Sequence, residues 1–308
     1  MNDRVNIPTV SVDGATKGPK LLLMAGVHGD EFEPMAAVRR LVRQLEPARL
    51  CGTVTCAPCV NESAFRCNAR VGEDGLDLAR VCPGAADGSI TLRTAHAVSE
   101  LIQAHDFLID LHTGGTFLTL FPLAGYMLHP NTQVLQAQRV MARAMGLPLV
   151  WGTTPQLQGR TLSVARDANI PAIYAEFGGG GGFDENAVDA YASGCMNVLC
   201  NLSMYDRKAV PGALAAHTPI VIEDNRDGAG FLQVQHPAPA DGFFEPACKP
   251  GDRVKAGDPV GQIVDALGNR LTSITANGDG LVVMLRTWRH VRAGDGLMAL
   301  ASEGGERS

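Results

Sequence analysis

The sequence predicts an α/β protein with a mostly parallel sheet flanked by helices, followed by a smaller all-β domain. Up to about residue 210, apolar runs of strand length alternate with segments whose apolar positions recur at helical spacing. This alternation is typical of a parallel sheet covered by helices on both faces. Beyond that point the chain changes to short β-like runs punctuated by Gly and Pro. We therefore predict two domains, residues 1–210 and 211–308.

The first domain is predicted to begin with a strand, a turn and a helix. The apolar run KLLLMAGV ends at a Gly/His turn, and FEPMAAVRRLVRQLE follows with helical periodicity. A second buried strand is predicted at GTVTCAPCV. The polar segment after it has almost no periodicity, and we interpret it as a long loop, NESAFRCNARVGEDGLDLARVCPGAADGS. Loops of that length in a compact domain are usually functional.

The remaining elements of the first domain repeat the alternation. A helix at TLRTAHAVSELIQAH precedes the strand DFLIDLH. Two helical segments, QVLQAQRVMARAMG and LSVARDANI, precede the strand IPAIYAEF, which ends in a run of glycines. The last helix is predicted at NAVDAYASGCMNVLCNLSMY. Three predicted strands, KLLLMAGV, DFLIDLH and IPAIYAEF, are therefore followed by polar residues or glycines at their carboxyl ends.

The second domain is predicted to consist of short hairpins. Four Gly-Asp pairs, at residues 251–252, 257–258, 278–279 and 294–295, mark turns between short strands. The segment resembles the biotinyl/lipoyl-type β-sandwich. The run LVVMLRT offers no lysine at a hairpin tip, so we predict no carried prosthetic group.

Composition and charge favour a small-molecule partner. The formal net charge is −6, and no run of Lys or Arg offers an electrostatic footprint for nucleic acid or an anionic membrane. We find no apolar core of a signal peptide at the N-terminus and no apolar stretch long enough to span a bilayer. We therefore expect a cytoplasmic protein with reduced cysteines, and we interpret Cys56 and Cys59 as packing residues of a buried strand.

Ionisable residues follow three of the predicted strands. His28 and Glu31 come after the first strand, His112 follows DFLIDL, and Glu176 follows IPAIYA. Because ligands of open α/β sheets bind beyond the carboxyl ends of the strands, these side chains are candidates for one site. Each alone has an ordinary interpretation, such as a loop histidine or an acidic residue in a first helical turn. Their joint occurrence at strand ends favours metal chemistry.

Two histidines and one glutamate can hold a catalytic zinc whose fourth position is open to water. His28 and Glu31 lie three residues apart on one turn, and His112 reaches the same ion from another strand end. Glu176 is then free to act as the general base that takes a proton from the water and passes it to the leaving nitrogen. A cation should stabilise the oxyanion of the tetrahedral intermediate. The long loop offers three candidates: Arg66, Arg70 and Arg80.

The motifs GVHGDE, NESA, DLHT and AEFGG resemble the zinc carboxypeptidase-like family of succinylglutamate desuccinylase and aspartoacylase. The resemblance covers most of the chain and implies a carboxypeptidase-like catalytic domain followed by a β-rich domain. It implies the same zinc ligands, one zinc per chain and the same general base. Asn61, followed nine residues later by Arg70, matches the start of the family's loop. Arg70 is therefore the expected oxyanion residue, Arg66 is expected to be solvated, and family analogy alone suggests a homo-oligomer.

The predicted substrate pocket departs from the family at one position. Where the family commonly has Asp-Leu-Asn-Arg, this chain has Asp-Leu-Ala-Arg at residues 77–80. The resemblance implies that the Asn-Arg pair holds a substrate carboxylate. Arg80 can still pair with an anion, whereas Ala79 offers no side-chain hydrogen bond. Neither aspartoacylase nor succinylglutamate specificity therefore follows from the resemblance.

Two further residues are assigned from position. Arg160 is placed best for a second substrate anchor, so the predicted substrate-binding set is Asn61, Arg80 and Arg160. Asp110 lies two residues before His112 and is expected to accept the second N–H of that ligating histidine.

The predicted function is zinc-dependent hydrolysis of the amide bond of a small N-acyl amino acid or related amine. Two alternatives stay open on the sequence. A carboxypeptidase acting on short peptides would share the metal site and differ in the pocket. A non-catalytic small-molecule binding protein would hold no zinc, or zinc without turnover.

Overall fold

Helices and strands alternate through the part of the chain that the computed structural model describes, residues 5–209 and 218–302. A membrane-crossing helix is absent from these residues. The α-helices are α1 (Phe32–Gln44), α2 (Glu62–Cys67), α3 (Leu78–Val81), α4 (Ile90–Gln103), α5 (Thr132–Ala144), α6 (Thr161–Asp167) and α7 (Glu185–Asn201). Short 3₁₀ helices lie at Pro47–Arg49, Arg207–Ala209 and Leu232–Val234.

The strands form one large sheet and one small sheet. The strands of the first 209 residues are β1 (Val10–Asp13), β2 (Thr16–Ala25), β3 (Cys51–Ala57), β4 (Phe107–His112), β5 (Leu118–Met127), β6 (Leu149–Thr153) and β7 (Ala172–Gly179). Those that follow are β8 (Ile220–Glu223), β9 (Gly242–Pro246), β10 (Arg253–Val254), β11 (Pro259–Val264), β12 (Arg270–Thr275), β13 (Gly280–Arg286), β14 (His290–Val291) and β15 (Met298–Ala301).

The centre of the large sheet is parallel. Strands β3, β2, β4 and β7 lie side by side in that order and run in the same direction. Strand β5 pairs antiparallel with β7, and β6 and β8 continue parallel to β5. Helices cover the sheet, and a separate antiparallel sheet of β12, β11, β9 and β14 lies in the C-terminal region. The predicted fold class is therefore confirmed.

The apolar run of β2 shows why this sheet is covered on both faces. Alternate side chains of a strand point to opposite sides of the sheet. Leu21 and Leu23 pack into one core, which also contains buried residues of α1, α5 and α7. Leu22 and Met24 pack into a second core with buried residues of α4 and α6. A central strand with both faces buried is expected to be uniformly apolar.

The strand β5 joins the two halves of the chain. Its second half, Leu123 to Met127, pairs with β6, whereas Leu118 to Leu120 pair with β13. Strands β10 and β15 pair with β13, so these three strands extend the large sheet. The strand β8 also lies beyond residue 210 and pairs with β6. The division at residue 210 and the biotinyl/lipoyl likeness stay predictions, and part of the predicted boundary falls outside the described residues.

The segment predicted as one long loop contains two short helices. Asn61 caps α2 by accepting the Ala64 N–H, and Asp77 caps α3 by accepting the Ala79 N–H. Such caps satisfy backbone donors that a helix start leaves free. The helices are too short to produce an apolar periodicity, which is why the sequence pattern does not reveal them. The Asp77 cap lies beside the candidate site, because Asp77 also contacts His28.

Candidate active site

The three predicted strand ends meet at one edge of the parallel sheet. His28 lies in the loop between β2 and α1, and Glu31 directly precedes α1. His112 is the last residue of β4 and pairs in register with Glu176 of the neighbouring strand β7. The parallel order of β2, β4 and β7 therefore brings all four side chains together, as the strand-end argument predicts.

Glu31 lies between the two histidines. Its Oε1 is 2.7 Å from Nδ1 of His28, and its Oε2 is 3.0 Å from Nδ1 of His112. All three side chains are buried, and one potential ligand atom from each lies within 4.8 Å of the others. Among the described residues, this is the group of histidine and carboxylate side chains that could hold a metal ion.

The far side of each histidine faces an aspartate. Asp77 Oδ1 lies 3.2 Å from Nε2 of His28, and Asp110 Oδ1 lies 3.2 Å from Nε2 of His112. Thr161 Oγ1 donates to the other oxygen of Asp110 at 2.5 Å. Carboxylates behind ligating histidines fix the ring orientation and raise the basicity of the ligand nitrogen. Both Nδ1 atoms are thereby directed toward the space at Glu31.

The surrounding charges favour a bound cation. Burial alone would raise the pKa of Glu31, but His28 and His112 hold it far below its usual range. Burial opposes protonation of His112, yet Asp110 and Glu31 raise its pKa well above the usual value. Opposite charges within a few ångströms stabilise the charged form of each group. A divalent cation between the three side chains would compensate the negative charge of Glu31, which protonated histidines compensate in its absence.

Glu176 offers a carboxylate oxygen with no partner. The residue is 9 % exposed, and its Oε2 is buried without a hydrogen bond to any part of the chain that the structure describes. Burial raises the pKa of Glu176, and the negative charge of Glu31 adds to the effect although His112 opposes it. A buried carboxylate held near neutral pKa is suited to accept and return a proton.

Arg70 is tied to the metal-ligand cluster. Its Nε donates to Asp77 Oδ2 at 3.0 Å, and its Nη1 lies 3.8 Å from Glu31 Oε1. Asp77 therefore holds both the ring of His28 and the guanidinium of Arg70. The other loop arginine considered, Arg66, is 78 % exposed and pairs with Glu62 on the surface. The structure thus separates the two arginines as the family resemblance implies.

A cavity of about 80 Å³, here called the inner cavity, adjoins these groups. Its polar lining includes His28, Glu31, Arg70, His112 and Glu176, together with Thr113 and Tyr174. Apolar side chains also line the inner cavity: Leu118, Leu120, Met127, Leu157, Leu162 and Leu232. The inner cavity can therefore enclose a small molecule with one polar and one apolar portion.

A wider cleft of about 470 Å³, here called the outer cleft, lies beside the inner cavity. The two spaces share Arg70, Gly114, Leu118 and Gln233 among their lining residues. The outer cleft continues between the end of β4 and the turn after β13, where Trp288 is half exposed. It is a route by which a solute could reach the inner cavity.

Arg80 and Arg160 also line the inner cavity. Arg80 donates to the Ala79 carbonyl at 2.7 Å and to Gln233 Oε1 at 2.8 Å. Arg160 lies over the ring of Phe231, with its Nε and Nη2 buried and without hydrogen-bond acceptors in the described residues. Buried guanidinium donors without acceptors are costly unless a ligand satisfies them.

Asn61 lies away from the inner cavity. Its side chain is fully buried, with Nδ2 donating to the Val27 carbonyl at 3.1 Å and Oδ1 accepting from Ala64. Both ends of the amide are therefore used within the protein, and the structure does not bring it to the other predicted substrate-binding residues. The cap helps hold the His28 loop against α2. Gly29 makes this packing feasible, because a Cβ there would lie 2.0 Å from the Ala64 carbonyl carbon.

Comparison with known proteins identifies the family. The model of the succinylglutamate desuccinylase/aspartoacylase catalytic domain matches residues 17–202, more than half of the chain. The chain belongs to this family. The family resemblance drawn from the strand-end motifs is thereby confirmed, and the confirmation extends to the carboxypeptidase-like arrangement of the sheet.

Relatives of the desuccinylase/aspartoacylase family match almost the whole chain. The N-α-acetyl-L-2,4-diaminobutyric acid deacetylase of Halomonas elongata is 28 % identical over 96 % of this chain and 86 % of its own length. A succinylglutamate desuccinylase/aspartoacylase structure from Rhodobacter sphaeroides is 25 % identical, with a TM-score of 0.86 over 98 % of this chain and 90 % of its own. The product-bound ectoine utilization protein EutE (DoeB) of Ruegeria pomeroyi shares the fold, with 23 % identity and a TM-score of 0.86, covering 96 % and 89 % of the two chains.

The sequence did not predict the roles of two residues in the site, Asp77 and Gln233. Asp77 could have been suspected, because it begins the Asp-Leu-Ala-Arg motif, but its contact with His28 joins residues 49 positions apart. Gln233 carries no motif and reaches Arg80 from 153 positions away. Only the fold brings these pairs together.

Proposed function

We propose that this chain is a zinc-dependent deacylase that hydrolyses the amide bond of a small N-acyl amino acid or related amine. The observation that carries the proposal is the buried cluster of His28, Glu31 and His112 beside the unpartnered carboxylate oxygen of Glu176. The deacetylase activity named for the relative from Halomonas elongata supports the same class of reaction.

The donor set fits zinc. Two imidazole nitrogens and one carboxylate oxygen are the protein ligands typical of a catalytic rather than a structural zinc site. The aspartates behind both histidines supply the support that such ligands usually have. When bound there, zinc would act as a Lewis acid and make water a stronger nucleophile near neutral pH.

Glu176 is assigned the proton transfers. In the hydrolysis, water oxygen bonds to the amide carbon, and one water proton passes to Oε2 of Glu176. The C–N bond then breaks, and the proton passes from Glu176 to the leaving nitrogen. The products are a carboxylic acid and an amine. The unpartnered oxygen of Glu176 is free to take part without breaking a hydrogen bond within the protein.

Arg70 is assigned the developing oxyanion. Asp77 holds its guanidinium by the Nε atom, and Nη1 lies 3.8 Å from Glu31, so neither terminal nitrogen donates a hydrogen bond to the described residues. A fixed donor at the point where negative charge develops stabilises the transition state more than the ground state. Arg80 and Arg160 are assigned to a substrate carboxylate, because both line the inner cavity and Arg160 has unsatisfied donors.

The test of the proposed function is hydrolysis of a substrate panel by protein loaded with zinc. The panel contains N-acetyl and N-succinyl amino acids, N-acetyl-2,4-diaminobutyrate, and dipeptides with a free C-terminus. We expect release of free amine from one or more N-acyl amino acids and little from dipeptides. Preferred cleavage of dipeptides would support the carboxypeptidase alternative. Binding without turnover of any panel member would support the non-catalytic alternative.

Replacing Arg160 by glutamine is expected to raise KM for the best panel substrate about 10–100-fold, with a smaller change in kcat. A hydrogen bond to a charged group contributes about 1.5–3 kcal/mol, and a carboxylate bound by Arg160 would lose it. Steady-state kinetics measure the change. Arg66→Gln is the matched control, because Arg66 is exposed on the surface and its loss should leave KM unchanged. An unaltered KM in Arg160→Gln would remove Arg160 from the substrate-binding set.

Cytoplasmic location and a homo-oligomeric state stay predictions from the sequence. Neither affects the assignment of roles above, since each named side chain belongs to one chain.

A further inference from the structure

We propose that Gln233 is a specificity-determining residue whose side-chain amide binds the substrate carboxylate together with Arg80. This inference rests on the proposed deacylase function and deepens it, because it names the group that selects the amino-acid half of the substrate. Gln233 comes from the 3₁₀ helix Leu232–Val234, which follows β8 and lies far from the strand-end motifs in the sequence.

The hydrogen bond to Arg80 determines how the Gln233 amide is oriented. Arg80 Nη2 donates to Gln233 Oε1 at 2.8 Å. A guanidinium has no acceptor, so the amide must present its oxygen to Arg80 and its Nε2 away from it. Within residues 5–209 and 218–302, the contact with Arg80 is the hydrogen bond that the Gln233 side chain makes, and Nε2 takes part in none. Two N–H donors of Gln233 are therefore available to a ligand.

The location of Gln233 suits a carboxylate ligand. The residue lines both the inner cavity and the outer cleft, so it lies where a substrate would pass from one to the other. Arg80 contacts only neutral oxygens, those of Ala79 and Gln233, and makes no ion pair in the described residues. The Asp77 carboxylate attracts Arg80 from a distance but is engaged by His28 and Arg70 and makes no ion pair with Arg80. A cation and an amide donor side by side, not bridged by a protein carboxylate, form a site for a carboxylate of the substrate.

The methyl side chain of Ala79 leaves Arg80 without a local amide neighbour. Ala79 also lines the inner cavity, next to Arg80, and has no polar side-chain atom. An amide from the adjacent 3₁₀ helix provides the donor that position 79 does not. The Gln233 side chain thus supplies from a distant segment what a polar residue at position 79 would otherwise supply locally.

The backbone at Gln233 is held in place from two sides. A Cβ at Gly296 would lie 2.2 Å from the Gln233 carbonyl oxygen, so the two segments pack with their backbones in close approach. On the other side, the ring of Phe231 lies against the guanidinium of Arg160 at 5.2 Å. A side chain on a segment anchored at both ends is held ready for ligand binding, which lowers the entropy cost of ordering it.

The test compares the best N-acetyl amino acid of the panel with its C-terminal carboxamide. In Gln233→Ala we expect KM for the acid to rise about tenfold or more, since a hydrogen bond to a charged group is lost. KM for the carboxamide should change less than about twofold, and kcat for either compound should stay within about threefold. Gln133→Ala is the control, because Gln133 is exposed on α5.

Two further variants keep the test decisive if Gln233→Ala disturbs the fold. Gln233→Glu nearly preserves the shape, and its carboxylate would pair with Arg80 and repel the acid, so discrimination in favour of the acid should disappear. Adding Ala79→Asn to Gln233→Ala should recover part of the lost affinity, because the introduced asparagine would supply an amide at the same place. Equal increases in KM for acid and carboxamide, or no increase, would overturn the role of Gln233.

Binding separates this inference from the proposed function. Calorimetric titration of N-acetyl amino acids into the Glu176→Gln variant, with and without Gln233→Ala, measures the carboxylate contact without turnover. Weaker binding of the acid but not the carboxamide would support Gln233 even if the wild-type chain hydrolysed none of the panel. If neither the acid nor the carboxamide bound to Glu176→Gln, with or without Gln233→Ala, both proposals would be overturned.

Discussion

Replacing Glu176 by glutamine is expected to lower kcat about 10²–10⁴-fold, the range typical for loss of general acid–base catalysis. Glutamine has nearly the same shape but cannot take a proton from water at neutral pH. Bound zinc should be retained, because the ligand cluster consists of His28, Glu31 and His112 and does not include residue 176. Steady-state kinetics and elemental analysis of the same preparation measure both effects.

The control for this variant is Glu62→Gln, since Glu62 pairs with Arg66 on the surface and its substitution should leave kcat unchanged. Retained activity in Glu176→Gln would contradict the assignment of Glu176 as the general base. Loss of zinc together with activity would instead place residue 176 among the determinants of metal binding. The fold should survive, because the substitution removes a buried charge whose Oε2 has no partner in the described residues.

Replacing His112 by alanine is expected to reduce bound zinc from about one per chain to a small fraction and kcat/KM by about 10³-fold or more. Lewis-acid stabilisation contributes several kcal/mol, and each 1.36 kcal/mol corresponds to a factor of ten in rate. His112 supplies one of three nitrogen or oxygen donors in the cluster. Elemental analysis of the purified protein and kinetics on the best panel substrate measure the two losses.

His96→Ala is the matched control, because His96 is a partly exposed histidine on α4 that faces Glu100 on the surface. Removal of the metal from the wild-type protein by a chelator should reproduce the loss, and added zinc should restore activity. This second measurement does not depend on whether His112→Ala folds normally. Full activity of the metal-free protein would contradict the metal-dependent mechanism, and failure of zinc to rescue the chelated enzyme would point to another ion.

The local pattern of the sequence predicted the parallel strands β2, β3, β4 and β7 but neither β5 nor β6 of the same sheet. The run Leu21 to Ala25 is uniformly apolar because β2 is buried on both faces, and this predicts a central strand without knowledge of its neighbours. The ends of parallel strands lie at one edge of the sheet, so His28, Glu31, His112 and Glu176 could be assigned to one site from their positions after the strands.

The pattern was less informative where elements are short. Two helices of the segment after β3 have only six and four residues, and each begins with a side-chain cap rather than with an amphipathic stretch. Asn61 illustrates the consequence. Its place at the start of a family motif suggested a substrate contact, whereas its buried amide is used at both ends within the protein.

The sequence by itself predicted strands alternating with helices, the candidate metal ligands and the candidate base, because each strand end is recognised from residues that are close along the chain. The tertiary structure decided which arginines face the cavity, that Asp77 supports both His28 and Arg70, and that Gln233 meets Arg80. Such contacts, most of them between residues dozens of positions apart, depend on strand order, loop conformation, close backbone packing and side-chain direction. No local pattern encodes these quantities, so the composition of the substrate pocket became visible only in the folded chain.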